Sequence, residues 1–130
     1  MSCQSCGGRT MAVPVTEALR QYLPASAPAV SVCRACLAME PLSSVPESFP
    51  DLTVLDDAMP SNRAAAEPIV LLVGLLDSLA LNRAEITALL ERAERAGADP
   101  LLVVDRLADS YGADAHVDLA GRRRQLEQLL

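Results

Sequence analysis

Cys3-Gln4-Ser5-Cys6-Gly7-Gly8 follows Met1-Ser2, and Cys33-Arg34-Ala35-Cys36 repeats the cysteine spacing further on. These are the only four cysteines in 130 residues. Two cysteines separated by two residues can both face one ion from a tight turn, and two such turns complete a tetrahedral shell of soft thiolates. Gly7 and Gly8 let the first turn bend with positive φ and aim N–H groups at the sulfurs. The second turn has no glycine and makes a less ideal knuckle. The spacing therefore points to a four-thiolate zinc ribbon holding one structural Zn2+ through Cys3, Cys6, Cys33 and Cys36. Iron suits the same ligands. Two redox dithiols, a disulfide framework and reduced buried thiols are the competing readings. A thioredoxin-like dithiol follows a strand at a helix start, and Cys3 has only two residues before it. Four ligands leave no open position for catalysis.

Around this centre the expected fold is α+β, mainly α. A small ribbon over residues 1–40 carries short β-strands, residues 41–60 form a Pro-rich acidic linker, and residues 61–130 form a bundle of about four helices. Within the ribbon, Thr10 to Val15 and Ala29 to Val32 read as extended. Thr16 to Leu23 reads as two helical turns capped by Thr16 and ended by Pro24. Leu19, Tyr22, Leu23, Val30 and Val32 are too few to fold such a unit alone, so the metal is expected to supply much of its stability. In the linker, Pro41, Pro46, Pro50 and Pro60 accompany four acids and no base. Phe49, Leu52, Val54 and Leu55 could dock it on a neighbour; disorder is the alternative.

Ala64 to Leu81 is apolar nearly all round and should be buried as a helix, with Pro68 in or near its first turn. Asn82 with Glu85 suggests a capping box for the next helix, which Gly97 ends. Its stripe is Ile86, Leu89, Leu90 and Ala93. Asp99-Pro100 starts a third helix that Gly112 stops, and Val117 to Leu130 gives a fourth. The helix around Ile69–Leu81 has more apolar surface than its short neighbours obviously cover, which suggests homodimerisation through it.

All eleven basic residues are arginine, against seventeen acids, for a net charge of −6. An acidic chain without lysine fits a high-salt cytoplasm, while a GC-rich genome also favours arginine over lysine. The N-terminal residues lack the apolar core of a secretory signal, and the run Ile69 to Leu76 is too short to cross a membrane. A cytoplasmic chain with four cysteines favours metal over disulfides.

Residues 1–40 hold Arg9, Arg20 and Arg34 against two acids, and the remainder holds eight arginines against fifteen. Three arginines and Tyr22 are a thin footprint for nucleic acid. Arg122, Arg123 and Arg124 read as a solvated helix face, His116 as a surface or capping residue, and Asp56, Asp57, Asp77 and Ser78 as solvated or capping groups. With no nucleophile–base pair, phosphate loop or open metal, no enzyme is expected.

The cysteine pairs, the segment Gly74-Leu75-Leu76-Asp77-Ser78-Leu79-Ala80-Leu81-Asn82-Arg83, and the later Glu94-Arg95-Ala96-Gly97-Ala98-Asp99-Pro100 and Arg124-Gln125-Leu126-Glu127-Gln128-Leu129-Leu130 together resemble a family of small uncharacterised haloarchaeal proteins. That resemblance covers nearly the whole chain. It implies a zinc-ribbon start, a halophilic cytoplasmic setting and the four cysteines as the one site. The expected function is a non-enzymatic zinc-binding adaptor that contacts an unknown protein partner or a second copy. The runner-up is an accessory factor contacting nucleic acid or nucleoprotein through the ribbon, and a weaker one is a dithiol redox protein.

Overall fold

Three antiparallel strands, β1 (Thr10–Pro14), β2 (Ala29–Cys33) and β3 (Met39–Leu42), form a sheet in the order β1-β2-β3. They belong to a computed structural model that describes residues 2–130. The central strand is buried at every position. Its register pairs Thr10 with Cys33 and Val30 with both Val13 and Pro41. Pro41 was expected to open the linker; it lies instead in an edge strand, where a missing N–H need not break a ladder. Between β1 and β2 the chain makes a 3-10 turn, Glu17–Tyr22, rather than α-helix, and Thr16 does not cap it.

Four α-helices follow: α1 (Arg63–Leu75), α2 (Arg83–Arg95), α3 (Pro100–Tyr111) and α4 (Leu119–Glu127). The fold is thus α+β with a small sheet and a helical C-terminal half. α1 is the central rod. Its residues from Ala65 to Leu75 are all buried, as the all-round apolar pattern implied. It packs along α2 and against β3. Gly74 permits the second contact, since a Cβ there would lie 2.5 Å from that of Met39. Pro68 sits inside the helix without ending it; the partner it deprives of an N–H is the carbonyl of Ala64, an exposed residue.

One contiguous core runs through the chain. It joins Val13, Leu19, Val30 and Val32 to Leu52, Leu55 and Met59, then to Ile69, Leu71, Leu72, Leu89, Leu107 and Leu126. The ribbon's apolar residues therefore pack on α1 rather than only on one another. Residues 41–60 dock as well: Leu52 and Leu55 are buried, Tyr111 donates its hydroxyl to the Leu55 carbonyl at 2.7 Å, and Ser110 bonds to Asp56. Val54 stays half-exposed. The surplus apolar surface expected on Ile69–Leu81 is consumed internally. Of the large apolar side chains in that stretch, Leu81, beyond the end of α1, is the exposed one.

Two of the four helices are capped by an aspartate, while Asn62 before α1 and Asn82 before α2 make no side-chain cap. Asp99 accepts the N–H of Leu102 at 3.1 Å and Asp118 that of Gly121 at 3.1 Å, each satisfying a first-turn donor. Gly97 closes α2 with φ +96°. Asn82 forms no capping box; its amide turns back to the Ser78 carbonyl at 3.0 Å.

Candidate metal centre

The β1–β2 register sets the two cysteine turns side by side. One turn runs into β1, and the other follows β2 directly. The Arg34 N–H bonds to the Arg9 carbonyl at 2.8 Å and extends the pairing past Thr10 and Cys33. In each turn the backbone closes the same way. In the first, Gly7 N–H donates to the Cys3 carbonyl and Cys3 N–H to that of Gly8, both at 2.8 Å. In the second, Leu37 N–H donates to the Cys33 carbonyl and Cys33 N–H to that of Ala38, both at 2.9 Å.

The sulfurs of Cys3, Cys6, Cys33 and Cys36 all lie within 4.8 Å of one another. Cys3–Cys36 is 3.7 Å and Cys6–Cys33 is 3.5 Å. Four thiolates around zinc at its usual Zn–S distance have sulfurs about 3.8 Å apart, so the cluster is of a size to close on one such ion. Amide N–H groups already point at sulfur: Ser5 to Cys3 at 3.4 Å, Gly8 to Cys6 at 3.4 Å and Ala35 to Cys33 at 3.3 Å. Such donors stabilise thiolate charge and do not compete for the metal position. Gly8 is part of the cradle: a Cβ there would lie 2.6 Å from the Ala35 Cβ and within 3.2 Å of the Cys33 and Cys6 sulfurs. The residues present fit a four-coordinate thiophilic cation.

The thiols differ in their protons. Burial opposes ionisation of Cys3, yet N–H groups of Cys6 and Ser5 and the neighbouring thiols outweigh it and bring its pKa down to about 7. Burial drives Cys36 strongly upward, and the neighbouring thiols add to the rise. At Cys6 the Gly8 N–H pulls downward, but the crowd of thiols wins and the pKa rises. Four thiolates this close cannot all be charged without a cation between them. Cys6 is exposed, whereas Cys3, Cys33 and Cys36 are buried.

Other singled-out residues fall elsewhere. Arg9 and Arg34 adjoin at the knuckles, but Arg20 bonds through Nε to the Val15 carbonyl at 3.1 Å, past the far end of β1. By strand rise that is about 20 Å away. Asp56 accepts the Ala58 N–H at 2.8 Å as a turn residue. Asp77 is exposed.

Two residues had more to do than the sequence suggested. The His116 N–H donates to the Cys36 carbonyl at 2.8 Å, and its Nε2 lies 3.2 Å from the Val73 carbonyl, so that nitrogen carries the proton. Burial holds its pKa below the usual histidine value. His116 thus fastens the α3–α4 connection to the second knuckle. Glu67, buried in α1, accepts from Thr16 N at 2.6 Å, Thr16 Oγ1 at 2.7 Å and Arg63 Nε at 3.0 Å. Arg63 and Glu67 are a local pair four apart, but the bonds of Glu67 to Thr16 and of His116 to Val73 have no local signal, because each spans more than forty residues of chain.

Fold and site together define a small α+β protein with an N-terminal four-cysteine centre able to take a metal ion. A family of unknown function, DUF6276, matches residues 2–130, and the chain belongs to it. No curated protein and no solved structure matches. Among the described residues, no helix is long and apolar enough to cross a membrane.

Proposed function

We propose that this is a non-enzymatic adaptor in which Cys3, Cys6, Cys33 and Cys36 hold one structural zinc ion. The observation that carries the reading is the closure of the site. Four sulfurs within 4.8 Å fill a tetrahedral shell and leave no position for water or substrate. The zinc would pin the exposed first knuckle onto the core-anchored second one and present their joint surface to a protein partner. A reducing, cytoplasmic setting suits unpaired thiols, and the acidic, lysine-free composition suits a halophilic archaeal cell.

Charge around the knuckles favours a protein partner over nucleic acid. The cleft beside Cys6 and Cys36 is lined by Glu40, Asp77 and Asp114, with His116 its one further ionisable side chain besides the thiols. Carboxylates there would repel phosphates. Only Arg9 and Arg34 stand near, since Arg20 lies at the other end of the strand.

Native mass spectrometry of protein purified under reducing, metal-replete conditions should give one zinc per chain. Titration against mixed RNA and DNA should give no binding with a steep salt slope. A metal-free protein that cycles between dithiol and disulfide would replace this reading with the redox one. Salt-sensitive nucleic-acid binding lost on mutating Arg9 and Arg34 would replace it with the nucleoprotein one.

A further inference from the structure

A wide cleft lies away from the cysteines, at the opposite end of α1. By helix rise, Ala64 at its mouth is about 14 Å from Val73 beside His116. Its volume is about 740 Å3, within the range of small-molecule sites. Thr16 and Leu19 form one side, Arg63, Ala64, Glu67 and Pro68 the floor, and Arg92, Arg95 and Ala96 the other side.

The floor is electrostatically closed. Arg63 and Thr16 satisfy the Glu67 carboxylate, and the Arg63 guanidinium also stacks over Phe49 at 4.6 Å. The wall is not. Arg92 and Arg95 stand one helical turn apart on α2, and among the described residues no carboxylate lies within 4.0 Å of either. Glu91 and Glu94 flank them on the same helix without pairing. Among the described residues only Arg63 and Arg123 have a carboxylate within 4.0 Å, so an unpaired guanidinium is common in this chain; what sets Arg92 and Arg95 apart is that both line one cleft with an apolar lining beside them.

We propose that this cleft binds a small organic phosphate, with Arg92 and Arg95 holding the phosphate and Leu19, Ala64, Pro68 and Ala96 taking an aliphatic body. Two free positive charges match a phosphomonoester, which carries roughly −1.5 to −2 at neutral pH. Two guanidinium forks can share three equivalent oxygens, whereas a carboxylate fills one fork. The cleft has room beyond an inorganic phosphate, and its lining has no aromatic ring on which a nucleobase could stack.

The chain supplies its own control. A second cleft on α4 also has two arginines, Arg122 and Arg124, but its other lining residues are Asp118, Gly121, Gln125 and Gln128, with no apolar wall. Arg122 there is already bonded to Gln125 at 2.8 Å.

The test is calorimetric titration of the metal-loaded full chain, at fixed moderate salt, with butyl phosphate, inorganic phosphate and butyrate, and co-sedimentation with phosphatidic acid vesicles. Butyl phosphate should bind, inorganic phosphate several-fold more weakly, and butyrate weakest. Arg92→Ala/Arg95→Ala should weaken butyl phosphate about tenfold or more, and Arg92→Lys/Arg95→Lys less. Arg122→Ala/Arg124→Ala should leave it unchanged. Arg92 and Arg95 are surface-accessible, and circular dichroism of each variant confirms that the fold is retained. Absence of butyl phosphate binding, equal affinity for butyrate, or equal loss in the α4 variant overturns the proposal. Binding to vesicles without binding to butyl phosphate overturns it in favour of a lipid headgroup.

Discussion

The first knuckle, Cys3 to Gly8, and the second, Cys33 to Ala38, make the same backbone hydrogen bonds on different residues. At the position after the last cysteine, both chains turn through positive φ: +75° at Gly7 and +67° at Leu37. Glycine takes that conformation freely. Leucine does so at a cost of about 1–2 kcal/mol. Burial of the Leu37 side chain, only 2% exposed, returns about as much or more. The second knuckle is therefore held by the core below it, between β2 and β3 and under His116. The first is held by a few backbone bonds and by whatever joins its sulfurs to Cys33 and Cys36. On the proposed reading a metal would fasten one knuckle to the other, and the fold beneath would not depend on it.

The largest effect should come from breaking the buried side. Cys33→Ser removes a ligand and puts a more polar hydroxyl in place of a fully buried thiol, at a cost of roughly 1–3 kcal/mol beyond the lost metal. Cys6→Ser, at an exposed position, should also abolish metal binding, yet lower the melting temperature no further than chelation does to the wild type. Equal melting temperatures for the two variants would erase the distinction between the knuckles.

Gly8 and Gly7 sharpen the comparison. Gly8→Ala forces a methyl against Ala35 and should cost roughly 1–3 kcal/mol and weaken metal affinity. Ala35→Gly removes the obstructing methyl and should restore much of the affinity in the double variant, as a double-mutant cycle of competitive zinc titrations would show. Gly7→Ala meets nothing within 4 Å and should cost only its backbone conformation, about 1 kcal/mol.

Metal affinity should rise with pH. In the metal-free protein Cys3 ionises at about 7, while Cys6 and Cys36 keep their protons to higher pH. An entering ion at neutral pH must displace the Cys6 and Cys36 protons, and below about pH 7 that of Cys3 too. The sign is that of groups whose pKa falls on ligation: stabilisation by metal is present at high pH and lost on acidification. Zinc titrations against a competing chelator at several pH values would check the slope.

Much of this was legible because it depends on short-range chemistry. Cysteine spacing gave the four sulfurs, the β-favouring runs gave β1 and β2, and Asp99-Pro100 and Gly97 marked helix boundaries. What stayed hidden was set by distant partners. Met39–Leu42 pairs as β3 despite Pro41, because β2 offers it an edge. Thr16 serves Glu67 across fifty-one residues instead of capping its own turn. The apolar excess of α1 is taken up largely by α2 and by the sheet, whose strand β3 has a weak pattern of its own. For the same reason the ribbon looked core-poor, although Val30 and Val32 share α1's core.

The most direct test of the central claim is amide hydrogen exchange with and without a zinc chelator. The account predicts that removing metal exposes residues 3–8, including the Gly7 amide bonded to Cys3, while β2 and α1 keep their protection. Simultaneous loss of protection at Val30, Val32 and Leu71 would contradict it, because the metal would then be holding up the whole fold.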